Sequence, residues 1–280
     1  MNIALNTDYA GSTGSPERRL KSMAKAGFTH VHWCHQWNTD FVYADCEIRQ
    51  IKRWLDEYGL KLLDIHGSVG PEKNWFSTVE YERQAGVELV ANRMKMLRAL
   101  DGTGAVMMHI PQLTITHYQA GIAVVRTKMA QLRKSLDELM PLSRELNVPI
   151  AIENTAGDTF QTFNELFRAY PADFLGLCFD SGHGHLMDDK GLNHLDEFKD
   201  RLMALHIHDN DGITDLHQPP FCGTLDWERF AKILKASPYP REISFELNAS
   251  RATPFAGNID AFLDDAYQRC LRFTKMVREE

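Results

Sequence analysis

Cysteine is scarce in this 280-residue chain, and long apolar runs and an excess of basic charge are missing. The five cysteines are odd in number and widely spaced, and no two of them form a CxxC pair. We therefore expect reduced thiols rather than a disulfide framework. No apolar run approaches the roughly 18 residues of a membrane span. The first residues lack the basic and apolar regions of a signal peptide. These absences predict a cytoplasmic protein without membrane contact.

The charge balance is acidic, with 31 Lys and Arg against 38 Asp and Glu, which gives a formal net charge of −7. Proteins that bind nucleic acid usually carry a basic field, so a small-molecule substrate is favoured over nucleic acid. No glycine-rich dinucleotide motif follows the first apolar run and no P-loop is present, so a nucleotide-binding fold has little support. The hydrophobic fraction of 44% is ordinary for a globular protein and excludes a disordered chain.

Short apolar runs alternate with longer amphipathic stretches along the whole chain, which predicts eight β/α units around a parallel sheet. The predicted strands are Ile3–Asn6, Thr29–Trp33, Lys61–His66, Ala105–Ile110, Pro149–Glu153, Leu175–Asp180, Met203–His208 and Glu242–Leu247. The predicted helices are Pro16–Ala26, Asp45–Tyr58, Val79–Leu100, Gly121–Leu146, Thr159–Ala169, Leu195–Lys199, Trp227–Lys235 and Ile259–Val277. Eight such units in about 250 residues is the size of a (β/α)8 barrel. We predict one (β/α)8 TIM barrel domain over residues 1–280, with a doubly wound open sheet as the alternative.

Polar residues stand at the ends of the predicted strands, where the active sites of such barrels lie. Six of the eight ends supply a carboxylate or an imidazole: His66, His109, Glu153, Asp180, His206 and Glu246. Without a cation, the side chains of such a cluster would repel one another or lose their hydration at a cost. Buried charges are normally paired or coordinate metals. Mixed Asp, Glu and His ligation suits Mn²⁺, Zn²⁺, Co²⁺ or Fe²⁺. The sequence therefore predicts a divalent metal at the mouth of the barrel.

Other histidines and aromatic residues have simpler interpretations. A lone histidine near a strand end is more often a hydrogen-bonded structural residue than a ligand, and we interpret in this way His30, His32, His35, His117, His185 and His194. Aromatic side chains near the predicted mouth loops either stack on a sugar or pack in the core, and these are Trp33, Trp37, Trp75 and Phe221.

Short motifs follow one another in strand order. They are Ile152-Glu153-Asn154, Phe179-Asp180-Ser181-Gly182-His183, Leu205-His206-Ile207-His208-Asp209-Asn210, Asp215-Leu216-His217 leading into Gly223-Thr224-Leu225-Asp226-Trp227, and Ile243-Ser244-Phe245-Glu246. Together they resemble the xylose isomerase-like barrel superfamily, which contains sugar isomerases and epimerases, dehydratases and endonuclease IV. The resemblance to the epimerase branch implies one divalent ion held by Glu153, Asp180, His206 and Glu246. It also implies that His183 contacts substrate and that the two glutamates move protons.

The chemistry of an epimerase suits these residue types. Isomerising an α-hydroxy carbonyl compound needs a C–H proton removed and then returned, which two carboxylates on different sides of the substrate can do. A divalent ion polarises the carbonyl and holds the developing ene-diolate charge. We therefore expect a metal-dependent isomerase or epimerase of a sugar, sugar phosphate or related polyhydroxy carbonyl compound. Glu153 and Glu246 are the expected acid/base pair, and which of them abstracts the proton depends on the stereochemistry of the substrate.

The endonuclease IV branch gives the main alternative, a multi-zinc phosphoesterase. That branch uses three zinc ions and nine ligands, and the matching residue types here are His66, His109, Glu153, Asp180, His183, His206, Asp215, His217 and Glu246. His66 is followed by Gly-Ser-Val-Gly rather than by the Ala-Pro-Tyr run typical of the nuclease, and the net charge disfavours DNA. Hence His183, His66, His109, Asp215 and His217 are expected to bind either substrate or additional metal. A dehydratase on the same metal site and a non-catalytic sugar-binding barrel are further alternatives. The superfamily resemblance also makes a homo-oligomer an expectation.

Overall fold

The computed structural model describes residues 1–12, 14–111, 122–157, 159–186, 190–251 and 257–279. Its strands are β1 (Ile3–Asn6), β2 (His30–Trp33), β3 (Lys61–His66), β4 (Val106–Met108), β5 (Ile150–Glu153), β6 (Leu175–Asp180), β7 (Leu202–His206) and β8 (Ile243–Phe245). Consecutive strands are parallel neighbours, and β1 also pairs with β8. The predicted (β/α)8 barrel is confirmed, and the doubly wound alternative is wrong because its strands would not follow chain order around the sheet.

The seam between β7 and β8 closes the barrel just below its mouth. Ile207 bridges Phe245 in parallel. The amide of Ile207 donates to the carbonyl of Ser244 over 3.2 Å, and the amide of Glu246 donates to the carbonyl of Ile207 over 3.1 Å. These bonds fix Glu246, one residue past β8, at the same level as the end of β7.

The helices surround the strands and mostly begin and end within two residues of the predicted bounds. They are α1 (Glu17–Ala26), α2 (Asp45–Tyr58), α3 (Glu80–Ala99), α4 (Ile122–Leu146), α5 (Gln161–Ala169), α6 (Ser181–His185), α7 (Lys190–Phe198), α8 (Trp227–Ala236) and α9 (Ile259–Arg278). Gly121 at the predicted start of α4 and His117 before it lie outside the described residues. No helix among the described residues is long and apolar enough to cross a membrane.

The segment after β6 differs from the prediction of one short helix at Leu195–Lys199. Two helices, α6 and α7, stand there instead, followed by a 3-10 turn at Lys199–Arg201. Glycines lower helix propensity, so the sequence pattern missed α6 and predicted only the second half of α7. The structure shows why they are present: a Cβ on Gly191 would lie 2.3 Å from the Cα of Gly184. The glycines therefore let α6 and α7 approach each other closely.

The interior of the barrel is built from small and polar side chains rather than the Val, Ile and Leu that usually fill it. Side chains alternate along a strand, so the residue two positions before each polar strand-end residue also points inward. On β5 to β8 these residues are small and fully buried: Ala151, Cys178, Ala204 and Ser244. Their size leaves room for His32 of β2 and Asp64 of β3, which are register partners and are also buried.

The loop between β3 and α3 positions the strand end that carries His109. The indole nitrogen of Trp75 donates to the carbonyl of His109 over 3.0 Å. The hydroxyl of Ser135 on α4 donates to the carbonyl of Trp75 over 2.5 Å. Gly86 on α3 lies directly under this loop, and a Cβ there would stand 2.2 Å from the backbone nitrogen of Trp75. The loop backbone therefore packs on the helix where the helix has no side chain.

Gly86→Ala is accordingly expected to destabilise the protein although it raises helix propensity. Propensity alone would stabilise α3 by about 1 kcal/mol. Forcing a Cβ into a packed backbone costs about 1–3 kcal/mol or more, so the steric effect prevails. Urea denaturation followed by circular dichroism should show a lower free energy of unfolding. Glu88→Ala, at an exposed position of the same helix, is the control and should change it by less than about 0.5 kcal/mol. A more stable Gly86→Ala variant would show that the loop does not press on α3.

Candidate metal and acid/base site

The centre of the barrel mouth holds Glu153, Asp180 and His206, the last residues of β5, β6 and β7, and Glu246, which directly follows β8. One nitrogen or oxygen from each lies within 4.8 Å of the others. His206 Nδ1 is 2.8 Å from Glu153 Oε1 and 2.8 Å from Glu246 Oε2, so the two glutamates converge on one imidazole nitrogen. Glu246 is the most exposed of the four, with a side chain that is 15% accessible, whereas that of Glu153 is 2% accessible. The structure therefore brings together the four residues predicted as metal ligands, and their role as ligands stays a prediction.

A second group shares Glu153 with the first. His66 and His109 join Glu153 with ligand atoms within 4.8 Å of one another. His109 Nε2 lies 2.8 Å from Glu153 Oε2, and the rings of His66 and His109 are 5.1 Å apart. Trp37 covers this group, with its ring 4.6 Å from that of His66. These residues form one wall of the mouth.

A third group lies on the opposite wall and consists of His183, Asp215 and His217. Asp215 Oδ2 is 3.0 Å from His217 Nε2 and 3.7 Å from His183 Nε2. His183 also faces the central group, since its Nδ1 is 3.4 Å from Asp180 Oδ2. All nine side chains that the sequence singled out therefore converge on one mouth.

The central carboxylates are held by hydrogen bonds to neighbouring backbone. The Asn154 side chain bridges β5 to β6, because its Nδ2 donates to the carbonyl of Asp180 and its Oδ1 accepts from the amide of Asp180. Asp180 in turn caps α6, where its Oδ1 accepts from the amide of His183 over 2.7 Å. The turn of α6 thus places His183 beside the Asp180 carboxylate.

The long loop after β7 is organised by the buried Asp209. Its carboxylate accepts from the amides of Gly223 and Leu225 and from the indole of Trp227. A Cβ at Gly223 would lie 1.9 Å from the carbonyl oxygen of Asn210, so glycine permits this close turn. The Asp209 carboxylate therefore fixes the base of the loop that carries Asp215 and His217.

His217 has a strained backbone, with φ at +48°. Its Nδ1 lies 3.2 Å from the carbonyl oxygen of Glu246, and its own carbonyl accepts from the amide of Asn248. Backbone strain of this kind costs about 1–3 kcal/mol and persists only where the surroundings impose it, often at functional sites. Here the surroundings turn the His217 ring toward Asp215.

Opposite charges within the site shift the pKa values of both acids and bases. Burial alone would raise the pKa of the Glu153 carboxyl, but His206 and His109 hold that pKa well below its usual value. Burial would likewise lower the pKa of His206, yet Cys178, Glu153 and Glu246 raise it well above its usual value. The pKa of the Glu246 carboxyl shifts in the same direction as that of Glu153. Burial opposes its charge, but His206 lowers its pKa well below the usual range. Protonated imidazole thus balances the glutamates in the metal-free cluster.

The third group shows the same coupling. Burial works against charge on His183 and His217, but Asp180 and Asp215 raise the pKa of His183 to about 10. Asp215 and Glu246 raise the pKa of His217 to about 9. These imidazoles lower the pKa of Asp215 despite its burial. In contrast, burial and the neighbouring His109 lower the pKa of His66 well below its usual value, so His66 is neutral near pH 7.

The donor set fits a divalent cation. Two carboxylate oxygens crowd one nitrogen at the centre, since His206 Nδ1 lies 2.8 Å from both Glu153 Oε1 and Glu246 Oε2. Three carboxylates and one imidazole at the centre supply oxygen and nitrogen ligands of the kind that Mn²⁺, Co²⁺ and Zn²⁺ accept. A cation at this position would replace the protons that now balance the glutamates, because ligands must be deprotonated to bind a metal.

The residues interpreted as structural have partners of their own. His30 lies 3.0 Å from Thr29 Oγ1, and His194 stacks on Phe160. Of the aromatic candidates, Trp33 and Trp75 are fully buried core residues, so neither can stack on a sugar. Among these aromatic candidates, Trp37 is the residue whose ring lies beside His66 and His109.

Sequence reasoning missed two features near the site. His208 lies in the mouth, with its Nε2 3.0 Å from Asp180 Oδ1 and its ring stacked on that of His217 at 4.0 Å. Its spacing of two from His206 could have indicated this, since both then face the same side of the strand. His32 was interpreted as a lone histidine, yet its Nδ1 is 2.6 Å from Asp64 Oδ1 inside the barrel. No local sequence signal pairs those two residues.

Comparison with known proteins agrees with this architecture. The family model of xylose isomerase-like TIM barrels matches residues 20–269. An uncharacterized protein of Sinorhizobium fredii, y4fM, is 32% identical over 92% of this chain and 88% of its own length.

Two solved structures share the fold over nearly the whole chain. The structure of L-ribulose 3-epimerase superposes with a TM-score of 0.74 at 17% identity, covering 99% of this chain and 96% of the other. The structure of 3-keto-D-glucoside 4-epimerase from E. coli superposes with a TM-score of 0.73 at 16% identity, covering 98% and 99%. Because the family model spans most of the sequence, the chain belongs to the xylose isomerase-like TIM barrel family.

Proposed function

We propose that this protein is a divalent-metal-dependent isomerase or epimerase of a sugar or a related polyhydroxy carbonyl compound. The observation that carries the proposal is the convergence of two glutamates on one imidazole nitrogen. Glu153 and Glu246 each lie 2.8 Å from His206 Nδ1; Glu153 ends β5 and Glu246 directly follows β8. Two carboxylates that approach from different strands suit removal of a proton from one face and its return to another.

The four central residues, Glu153, Asp180, His206 and Glu246, would hold the metal. When bound, a divalent ion supplies polarisation of the substrate carbonyl and stabilisation of the negative charge that develops on its oxygen. The residues themselves do the proton chemistry. The lowered pKa values of Glu153 and Glu246 keep both carboxylates ionised, which is the form that accepts a proton from carbon.

The walls of the mouth suit a polyhydroxylated substrate. Trp37 provides an aromatic face beside His66 and His109. Aromatic faces pack well against the apolar face of a sugar ring or chain. His183, with a raised pKa and a side chain that is 17% accessible, provides a hydrogen-bond donor toward the same space. We propose that Trp37 orients the carbon chain and that His183 donates to a substrate oxygen.

The names of the similar solved structures support this substrate class. The two similar solved structures are by their names epimerases, one of L-ribulose and one of 3-keto-D-glucosides. Both names describe inversion at a carbon of a carbohydrate. We extend that class to the present chain because its own mouth contains the two carboxylates that such a reaction requires. A cytoplasmic location, a homo-oligomer and one domain over residues 1–280 stay predictions.

Proton exchange at carbon tests the proposed function directly. The protein would be incubated in D₂O with Mn²⁺ or Co²⁺ and a panel of ketoses and 3-keto-glucosides, with proton NMR to follow each C–H next to the carbonyl. We expect one such proton to be replaced by deuterium and an epimer or isomer to appear. Glu242→Gln is the control, because Glu242 contacts His30 rather than the mouth residues. Absence of exchange over the whole panel with metal bound would refute the proposal, and a product lighter by one water would indicate a dehydratase instead.

A multi-metal phosphoesterase is the second candidate function, and one observation favours it. The nine predicted residues divide into the central group and two flanking groups of three, with Glu153 shared, and each has the compactness of a metal site. Clustered metals suit phosphoester hydrolysis because they clamp the attacking and leaving oxygens together. The metal content of the protein distinguishes the two functions.

A further inference from the structure

A polar layer lies inside the barrel directly beneath the central site. His32 and Asp64 project into it from β2 and β3, and both are fully or almost fully buried. His32 Nδ1 and Asp64 Oδ1 are 2.6 Å apart. A charged carboxylate in the interior is costly unless it is paired, so a pair at this depth calls for an explanation.

The His32 ring contacts the ring of His206, the histidine at the centre of the candidate site. The two ring centroids are 4.4 Å apart with an angle of 54° between the planes. His206 directs its Nδ1 at Glu153 and Glu246. Within the described part of the chain, His206 Nε2, His32 Nε2 and Asp64 Oδ2 are buried atoms that make no hydrogen bond. Each ring therefore has a buried Nε2 without a hydrogen bond in the same layer.

We propose that Asp64 and His32 form a relay that orients His206 and fixes which of its nitrogens carries the proton. This inference rests on the proposed metal site, since it concerns the ring nitrogen that would face the metal. In the relay the Asp64 carboxylate accepts from His32 Nδ1–H. His32 Nε2 is then a lone-pair acceptor, and it receives His206 Nε2–H directly or through one bound water.

The donor and acceptor rules make this arrangement self-consistent. A neutral imidazole has one donor nitrogen and one acceptor nitrogen, so fixing one end fixes the other. With a carboxylate at Nδ1, His32 must present an acceptor at Nε2. With an acceptor below it, His206 must carry its proton on Nε2 and leave Nδ1 free toward the carboxylates. Histidine ligands of metals almost always donate their second nitrogen in this way.

Cys178 is the competing partner in the same layer. Its sulfur belongs with Glu153 and His206 to a set whose ligand atoms lie within 4.8 Å of one another. Burial raises the pKa of the Cys178 thiol far above its usual value, so the group is an uncharged thiol at neutral pH. A thiol is a weak acceptor, whereas an imidazole backed by a carboxylate is a strong one. Both groups lie beside His206, and the strength of the acceptor favours His32 over Cys178 as its support.

Asp64→Asn tests the relay. An amide keeps the shape of the carboxylate but removes the charge that holds the proton on His32 Nδ1. We expect Mn²⁺ or Zn²⁺ affinity, measured by titration of the metal-free protein, to fall about 10- to 100-fold, as for other partners of metal ligands. We also expect kcat to fall more than KM changes. His32→Leu should act in the same direction, and His32→Gln, which retains a carbonyl acceptor, should recover part of the loss.

Two controls separate the relay from general packing. His30→Gln changes another buried histidine of the same strand that pairs with a carboxylate, Glu242, but does so away from His206. Cys178→Ala removes the competing partner. Each should change metal affinity by no more than about twofold, the range of substitutions away from a critical contact. A tautomer readout that needs no metal is the long-range ¹H–¹⁵N spectrum, in which His32 should carry its proton on Nδ1 in the unmodified protein.

The outcomes are distinct. Metal affinity in Asp64→Asn within about twofold of the parent protein would overturn the relay while leaving the proposed function intact. An equal loss in His30→Gln, or a dominant loss in Cys178→Ala, would also overturn it. A parent protein that binds no divalent metal would overturn the proposed function and this inference together. If His32→Leu does not fold, Asp64→Asn and the His32 tautomer decide the question.

Discussion

Glu246→Gln is expected to abolish turnover of any substrate found in the exchange screen. General acid–base catalysis by one positioned group contributes about 10²- to 10⁴-fold, so a loss of at least about 10³-fold is expected when a ligand is removed as well. The same substitution should weaken metal binding. Glu246 Oε2 and Glu153 Oε1 both lie 2.8 Å from His206 Nδ1, and a neutral amide in place of either carboxylate leaves the central group with one negative charge fewer.

Comparing Glu246→Gln with Glu153→Gln shows which glutamate abstracts the proton. Both variants would be assayed at saturating Mn²⁺, so that weaker metal binding is compensated. The variant that retains the abstracting base should still exchange the substrate C–H proton with D₂O but form little epimer. The variant that lacks this base should do neither. Comparing proton exchange with epimer formation therefore shows which carboxylate removes the proton and which one returns it.

Glu242→Gln is the matched control, because Glu242 stands at the other end of the same strand segment and contacts His30. Its turnover should remain within about twofold of the parent value. An unchanged rate in Glu246→Gln would remove Glu246 from the mechanism. Equal loss of exchange and epimer formation in both glutamate variants, with metal bound, would mean that the two carboxylates act as one unit rather than on separate steps.

The strand-end residues could be predicted from sequence because a barrel imposes a simple rule on position. A polar residue that follows a buried strand must stand at the mouth, so Glu153, Asp180 and His206 could be placed from apolar runs alone. The relation between His32 and Asp64 could not be predicted in this way. It depends on the register between β2 and β3, which shifts between Val31 and His32. Registers are set by packing of whole strands rather than by local sequence.

The division of the mouth residues into three groups also could not be predicted from the sequence. Asp215 and His217 are on a long loop, and their approach to His183 depends on the Asp209 carboxylate and on the left-handed backbone of His217. Neither feature has a sequence pattern comparable to strand alternation. Helix α6 was missed for a related reason, because glycines that permit close packing look like helix breakers when each is considered singly.

Metal content is expected to be about one equivalent per chain, and chelation is expected to remove essentially all turnover. The central group has three carboxylates around one imidazole, so it has the largest density of negative ligands in the mouth. The third group sets two protonated imidazoles against one carboxylate, whereas the central group sets one protonated imidazole against three carboxylates. Removing the proton from His217, with a pKa of about 9, opposes metal binding by about a hundredfold at pH 7. The analogous proton on His183, with a pKa of about 10, opposes it further.

The pH dependence of metal content follows from the same shifts. The protons on His183 and His217 are held below their raised pKa values and released above them. Additional metal at the third group should therefore increase as the pH rises from 7 toward 9, and it should be absent at pH 6. Elemental analysis of protein purified without chelator or affinity metal, equilibrated at each pH, measures this directly. Two or three tightly held zinc ions already at pH 7 would contradict the single-metal proposal.

His66→Ala and His109→Ala decide between the two functions through the second group. Because His66 is neutral near pH 7, it could accept either a metal or a substrate hydroxyl without losing a proton first. In an epimerase with one metal, both variants should retain about one equivalent and raise KM, since these residues line the wall beside Trp37. In a phosphoesterase of the multi-zinc kind, each variant should lose an equivalent of zinc. Phosphoester hydrolysis would then be the activity to assay, because two metals sharing Glu153 would be placed to clamp both oxygens of the reacting phosphate.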